Sequence, residues 1–290
     1  METRINTNVT LTINLMRRRF VPLRPSMRTS ILATSFDAAK ERTWHLSVWA
    51  SPDISAWCAH DVATGRCVAL SSDQGMALPD EALLPKRPVS VTFTAMPEIS
   101  TLVPENALAP GSEMRHLKMV HGHLPTGLLR DEPIGALGAR CVYLHDEQAE
   151  HRLVSRFPHA RSLPLQAVLV QAALARSSGK HTVLIHRSAK RLDLAIARDQ
   201  RLLLSNRFHA VASEDVLYYT LFALEQSGAR PEDARCLTCG THLNAGDDEL
   251  LARYFPDIAP VIVPEDQRLH GLNIAGPHHF AALLEQIACA

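Results

Sequence analysis

From residue 43 onward, hydrophobic positions recur with a period of two. Trp44, Leu46 and Val48 alternate with His45, Ser47 and Trp49, the pattern of a half-buried strand. Pro52-Asp53 breaks the run, 54–60 resumes it, and Ala63-Thr64-Gly65-Arg66 makes a second turn before a third strand at 67–70. Three such runs joined by tight turns predict a meander. A short helix is expected at 78–84, between prolines, and a strand at 89–94 with Val89, Val91 and Phe93 on one face. Residues 109–137 are rich in Pro, Gly and His and weakly periodic, so they predict loop with one short helix. A buried strand follows at 140–144, then a helix at 147–157 stopped by Pro158. The next helix, 165–176, carries Val168, Leu169, Ala172 and Ala173 on one stripe. Ser177-Ser178-Gly179 ends it and marks a domain boundary.

The second half repeats this order. Strands are expected at 182–186, 192–197 and 202–210, with a turn at Asp199-Gln200. Ser213 is placed as the N-cap of a helix running to Gln226, with Glu214 and Asp215 in its first turn and Gly228 at C′. Then come a short strand at 236–238, a helix at 248–255, a strand at 261–263 and a closing helix at 278–288. Each half is a strand meander followed by alternating helices and strands. The reading is an α/β fold with mixed sheets, duplicated in topology and not in sequence. The expected units are an arm over 1–28, an N-terminal subdomain over 29–178 and a C-terminal one over 179–290.

Composition supports a folded chain. Of 290 residues, 46% are hydrophobic and 21% charged, which excludes a disordered polymer. No apolar run reaches the ~18 residues of a membrane span. Net charge is zero, from 30 basic and 30 acidic residues, and the zero is a cancellation. Residues 1–28 hold six Arg and one Glu, leaving 24 basic against 29 acidic residues in 29–290. A basic arm precedes an acidic body, and the arm's composition fits a disordered tail or a targeting segment; translation from Met27 would remove most of it. An acidic body argues against nucleic acid and anionic membrane as partners.

The six cysteines do not read as a disulfide framework, which fits a reducing cytoplasmic compartment. Cys236-x-x-Cys239 with His242 is the single metal-like or redox-like cluster. It lacks the second ligand pair of a structural zinc site, so ordinary core thiols are the favoured reading. His121-Gly-His123, with His116 nearby, has no acidic partner at a fixed spacing. P-loop, nucleophile-elbow and dinucleotide motifs are absent from the sequence.

Three stretches carry a family resemblance: Ile99-Ser-Thr-Leu-Val-Pro-Glu-Asn-Ala-Leu108, Phe157-Pro-His-Ala160, and Leu202-Leu-Leu-Ser-Asn-Arg-Phe208 followed by 212–226. Together they resemble a Bacteroidetes family of unknown function with the fold of the actin-like ATPases, over roughly Ser30 to Ile287. The resemblance implies two subdomains of the actin-like, ribonuclease H-like type. It implies no activity, because fold alone does not give one.

Actin-like ATPases bind nucleotide between their subdomains, where two hairpin turns cradle phosphates with an acid and a glycine. By that resemblance the first turn falls at Ala50-Ser-Pro-Asp53. It has no Gly, and Asp53 is its one carboxylate, in a position where Asp is an ordinary turn residue. The second falls at 186–190, with neither Gly nor acid; Arg187, Ser188 and Lys190 would meet an anion or form a solvated basic turn. The adenosine loop corresponds to Leu237-Thr-Cys-Gly240, with one glycine where a pair is usual. Asp53, Arg187, Ser188 and Gly240 are therefore the candidate nucleotide residues, with ATP and Mg²⁺ the cofactor the fold would suggest. The missing elements argue against catalysis. The expectation is a cytoplasmic, non-catalytic scaffold or binding module working through a protein partner or self-association. The alternatives are a diverged ATP-binding protein, or a thiol or zinc protein using Cys236 and Cys239.

Overall fold

A computed structural model describes residues 28–51, 53–75, 78–80, 84–95, 99–262, 269, 272, 274–289, except 270, 271 and 273. Residues 1–27 of the expected 1–28 arm lie outside them, as do Pro52, 81–83 of the expected 78–84 helix, and Val263. Leu78, Pro79, Asp80 and Leu84 are not helical.

The first sheet is built from β1 (Arg28–Leu32), β2 (Trp44–Ala50), β3 (Ile54–Asp61), β4 (Cys67–Gln74), β5 (Ser90–Ala95) and β9 (Arg161–Ser162). Its order is β1-β4-β3-β2-β5-β9, antiparallel through the meander and parallel from β2 to β5 and β9. The second sheet comprises β10 (His181–Ser188), β11 (Arg191–Arg198), β12 (Arg201–His209), β13 (Ala234–Cys239) and β14 (Asp257–Pro260). Its order is β12-β11-β10-β13-β14. With β1 set aside, the two orders are the same, so the repeat of topology expected from the pattern is present.

Between β5 and the helix α2 (Glu147–Arg156) lies a third sheet that the pattern did not predict. It consists of β6 (Ile99–Pro104), β7 (Leu128–Ile134) and β8 (Ala139–His145), in the order β6-β8-β7, with α1 (Glu113–His121) beside it. The one short helix expected within 109–137 is α1, and the rest of that expected loop contains a strand, β7. β7 was hidden because Leu-Leu-Arg-Asp-Glu-Pro-Ile interrupts any alternation with three charges and a proline.

The helices exchange sides. α3 (Leu165–Arg176) precedes the second sheet and packs on β10, β11 and β12. The C-terminal segment, α6 (Ala281–Leu284) flanked by 3₁₀ turns Pro277–Phe280 and Glu285–Cys289, packs back on β2 and β3 of the first sheet. Both helices and both sheets share one apolar cluster, from Trp49, Ile54 and Leu70 through Leu165 and Val170 to Leu184, Leu237 and Leu283. This is why α3 is buried on nearly all sides rather than along one stripe, and why β2 is buried on both faces.

Two helix boundaries and one strand differ from expectation. α4 (Ser213–Gln226) has Ala212, not Ser213, at its cap. There the Asp215 carboxylate accepts the Val211 and Ala212 amides at 2.8 and 3.0 Å, which holds its pKa below the usual carboxylate range. α5 (Ala245–Ala252) starts three residues early because Asn244 Oδ1 accepts from the Gly246 and Asp247 amides at 2.9 and 3.2 Å. That reciprocal Asn–Asp box is a strong start signal. The expected strand at 261–263 is displaced to β14, Asp257–Pro260. No helix among the described residues is long and apolar enough to cross a membrane.

Candidate functional site

The turn between β2 and β3 is closed by Ser51. Its amide and Oγ both donate to the Ile54 carbonyl, at 3.1 and 2.8 Å, and the Ile54 amide returns a 3.3 Å bond to Oγ. Asp53 is left exposed, its carbonyl accepting from the Gly75 amide at 2.8 Å. Its carboxylate faces the second half of the chain. Burial holds the His242 pKa below its ordinary value; the Asp53 charge opposes this and Arg187 adds to it.

Arg187 corrects the idea of a solvated basic turn. It is 3% exposed. Its guanidinium donates to the carbonyls of Ser188 at 3.0 Å, Ala210 at 2.6 Å and Val211 at 2.7 Å. Nε lies 3.8 Å from Asp247 Oδ2, and Asp247 is itself fully buried. The arginine ties the end of β10 to the loop between β12 and α4 and to the first turn of α5. Both Nη atoms are engaged within the protein, while Nε and Asp247 Oδ1 are buried with no hydrogen-bond partner.

Gly240, which follows β13, crosses directly over this strand end. At φ +114° a side chain would be strained, and a Cβ would lie 2.3 Å from the Arg187 carbonyl oxygen and 2.5 Å from its nitrogen. The C-terminal turn closes the other side. The Gly240 amide donates to the His278 carbonyl at 3.2 Å, and the Gly240 carbonyl meets His279 Nδ1 at 3.0 Å. The glycine serves a close backbone crossing and has both its polar groups engaged.

Asp53, His242, Arg187 and Gly240 are thus brought into one neighbourhood, with Ser188 at its edge. Polar capacity remains there. Trp49 Nε1, His186 Nδ1 and Ser188 Oγ are buried with no hydrogen-bond partner in the protein. Such atoms in a native interior call for an explanation, commonly water or a ligand. Trp49 and His186 come from opposite sheets, with ring centroids 5.3 Å apart. Burial brings the His186 pKa down to about 4, so the imidazole is neutral at pH 7, one nitrogen a donor and the other an acceptor.

Trp49 and Asp247 carry no sequence signal as members of this site, and His186 enters only as the first residue of the expected turn at 186–190. Alternation could have marked His186 as a buried polar residue in an apolar strand. The closure by a segment some forty residues beyond Gly240 left no local signal.

Cys236 and Cys239 do not come together as ligands. Three residues apart on a strand, they point to opposite faces: Cys236 into the cluster under α4 and Cys239 into the cluster with α3. Burial raises both thiol pKa values far above the usual range. His121 ends α1, with Nε2 2.9 Å from the Ser100 carbonyl; His123 is exposed.

A different feature marks the outer face of α4. Tyr218 is 62% exposed and Phe222 42%, four residues apart with rings nearly parallel, centroids 6.3 Å apart. Tyr219, beside them, stacks at 4.5 Å on Phe208 of β12.

A family model described as a protein of unknown function, DUF3822, matches residues 87–258, more than half of the chain. No curated protein matches. Among solved structures, a Bacteroides thetaiotaomicron protein with an actin-like ATPase fold and unknown function superposes with a TM-score of 0.69 at 14% identity, over 88% of this chain and 99% of that one. A type IV pilus biogenesis complex of PilM and PilN gives 0.46 at 12% identity, over 85% and 98%. The ethanolamine utilization protein EutJ from Carboxydothermus hydrogenoformans gives 0.42 at 10%, over 84% and 90%. The fold is that of the actin-like ATPases.

Proposed function

The chain belongs to the DUF3822 family of proteins of unknown function, and from that premise we propose that it is a cytoplasmic, non-catalytic binding module on an actin-like fold. The observation that carries this reading is the crossing of Gly240 over Arg187. Phosphate cradles work because backbone N–H groups stand open to an anion. Here the Gly240 amide is bonded to the His278 carbonyl, and the Arg187 guanidinium is bonded to three carbonyls. Asp53 adds a negative charge and no donor. A triphosphate would have to displace the contacts that the Gly240 amide and the Arg187 Nη atoms already make.

The partner in this reading is a protein, possessing an apolar or aromatic patch, or a second copy of the chain. The exposed Tyr218–Phe222 pair is the surface that supports it, since aromatic rings are enriched at contact surfaces and scarce in water.

Calorimetry of the full chain with Mg²⁺-ATP tests the central claim. The expected result is no saturable heat at millimolar nucleotide. Micromolar binding that disappears in Asp53→Ala would overturn it and establish a diverged ATP site instead. Sedimentation across a concentration series tests the partner surface, with Tyr218→Ser/Phe222→Ser expected to abolish any self-association.

A further inference from the structure

The face of the first sheet that lies under α6 is unexpectedly polar. β-ladder partners stand on the same face, and the rows read across the sheet as Ser90, His45, His60, Cys67 and Thr92, Ser47, Cys58, Leu70. His45 bridges Ser90 Oγ and Thr92 Oγ1, at 2.8 and 3.0 Å, and Thr92 donates to Gln286 at 3.0 Å. The remaining members converge. The ligand atoms of Cys58, His60 and Cys67 all lie within 4.8 Å of one another, and all three residues are fully buried. Cys58 Sγ is 3.8 Å from His60 Nδ1.

We propose that Cys58, His60 and Cys67 form a structural site for a single Zn²⁺ ion. Zinc binds thiolate sulfur at about 2.3 Å and imidazole nitrogen at about 2.0 Å, which sets ligand-to-ligand separations of roughly 3.3–3.8 Å in a tetrahedron. The three atoms already meet that spacing or need to draw in by about an ångström. Two soft thiols and an imidazole suit zinc over magnesium or calcium. Charge selects a divalent ion: a dication enters, the two thiols release two protons to solvent, and the site stays neutral, as a dry interior requires. Ser47 stands opposite Cys58 in the ladder, with a buried Oγ that has no hydrogen-bond partner. A fourth ligand has to come from solvent or from this hydroxyl as the site closes on the ion. Binding costs the thiol contacts to the Ala69 carbonyl at 3.3 Å and the Leu283 carbonyl at 3.9 Å. It fastens β3 to β4 directly beneath α6, where the C-terminal segment closes on the first sheet.

The test uses the full chain, purified reduced and titrated with Zn²⁺ or Co²⁺ alone. One equivalent of metal is expected. The Co²⁺ form should show sulfur-to-metal charge transfer and the red absorption of a tetrahedral site, bleached by added Zn²⁺. Those bands should vanish in Cys58→Ser and Cys67→Ser and survive in Cys289→Ser. Because a core variant can fail to fold, X-ray absorption on the wild-type zinc form provides a second measurement, with two sulfur neighbours and lighter atoms expected. No metal uptake, bands that persist in folded Cys67→Ser, or a shell without sulfur would each overturn the site and leave ordinary core thiols.

Discussion

Gly240 and Arg187 cross so closely that a single added methyl would sit 2.3 Å from a backbone oxygen. Neither strand end can retreat. β10 and β13 are paired in parallel up to His186 and Cys239, one residue short of the crossing, and the His242 amide donates to the Arg187 carbonyl at 3.2 Å just past it. Gly240→Ala therefore meets a backbone clash and a positive φ together. The expected loss is about 3 kcal/mol or more, read as a fall in the urea midpoint at unchanged m-value. A loss below about 1 kcal/mol would mean that the two loops slide apart readily, and the barrier to a nucleotide would fall with it.

The buried Arg187–Asp247 pair makes a second, separable prediction. Asp247 accepts from the Asn244 side chain at 3.0 Å and from its backbone amide at 3.3 Å, so its removal strips the start of α5 and takes away the buried acid nearest the Arg187 guanidinium. Asp247→Ala should cost about 3–5 kcal/mol. Arg187→Met, which removes the charge while keeping much of the volume, should cost less than Arg187→Ala. In a double-mutant cycle, Arg187→Met with Asp247→Ala should lose less than the two singles added. Strict additivity in thermal and urea unfolding would show the two groups to be independent.

What local pattern reveals here stops where distant segments meet. Alternation located β2 to β4 and β10 to β12 and exposed the repeat, because tight turns such as Asp199-Gln200, with φ of 49° and 60°, leave a strong chemical mark. The same alternation assigned His45 and Ser47 to a polar face, the mark of a solvated one. They are buried because α6, more than two hundred residues away, lies over them. Arg187 was legible as a basic turn residue, while its partners at 210, 211 and 247 were not. Cys58, His60 and Cys67 looked scattered because their meeting depends on β3–β4 register and a bulge between Ala59 and His60.

Two buried histidines should make the fold acid-sensitive well above the carboxylate range. Burial, with the Arg161 charge, brings the His45 pKa from 6.5 to about 4, and burial does the same for His186 against the opposing charge of Asp193. On acidification the unfolded chain takes up these protons first. Stability is therefore full above about pH 6.5, declines through the window from 6.5 to 4, and loses roughly 3 kcal/mol per histidine across it. Urea midpoints measured from pH 8 to pH 4 check the slope. His186→Leu removes an imidazole whose Nδ1 has no partner; it should change stability at pH 7 by less than about 1.5 kcal/mol and flatten the profile. A profile as steep as the wild type would assign the acid sensitivity elsewhere.

On α4, adjacent tyrosines should behave in opposite ways. Tyr219 lies nearly parallel to Phe208, 13° between ring planes at 4.5 Å, and joins the helix to the edge strand β12. Truncating it removes half-buried area and a stacked pair, so Tyr219→Ala should cost about 2 kcal/mol. Tyr218 is exposed, meeting the Tyr219 ring edge-on at 5.1 Å and lying parallel to Phe222 at 6.3 Å. Tyr218→Ala should leave stability within about 0.5 kcal/mol of the parent, as surface positions do. An exposed ring that contributes little to folding is available for the association proposed above. Urea unfolding of the two single variants, run beside sedimentation of the same samples, separates the roles. Should Tyr218→Ala destabilise as much as Tyr219→Ala, its ring belongs to the fold, and α4 ceases to be the docking face.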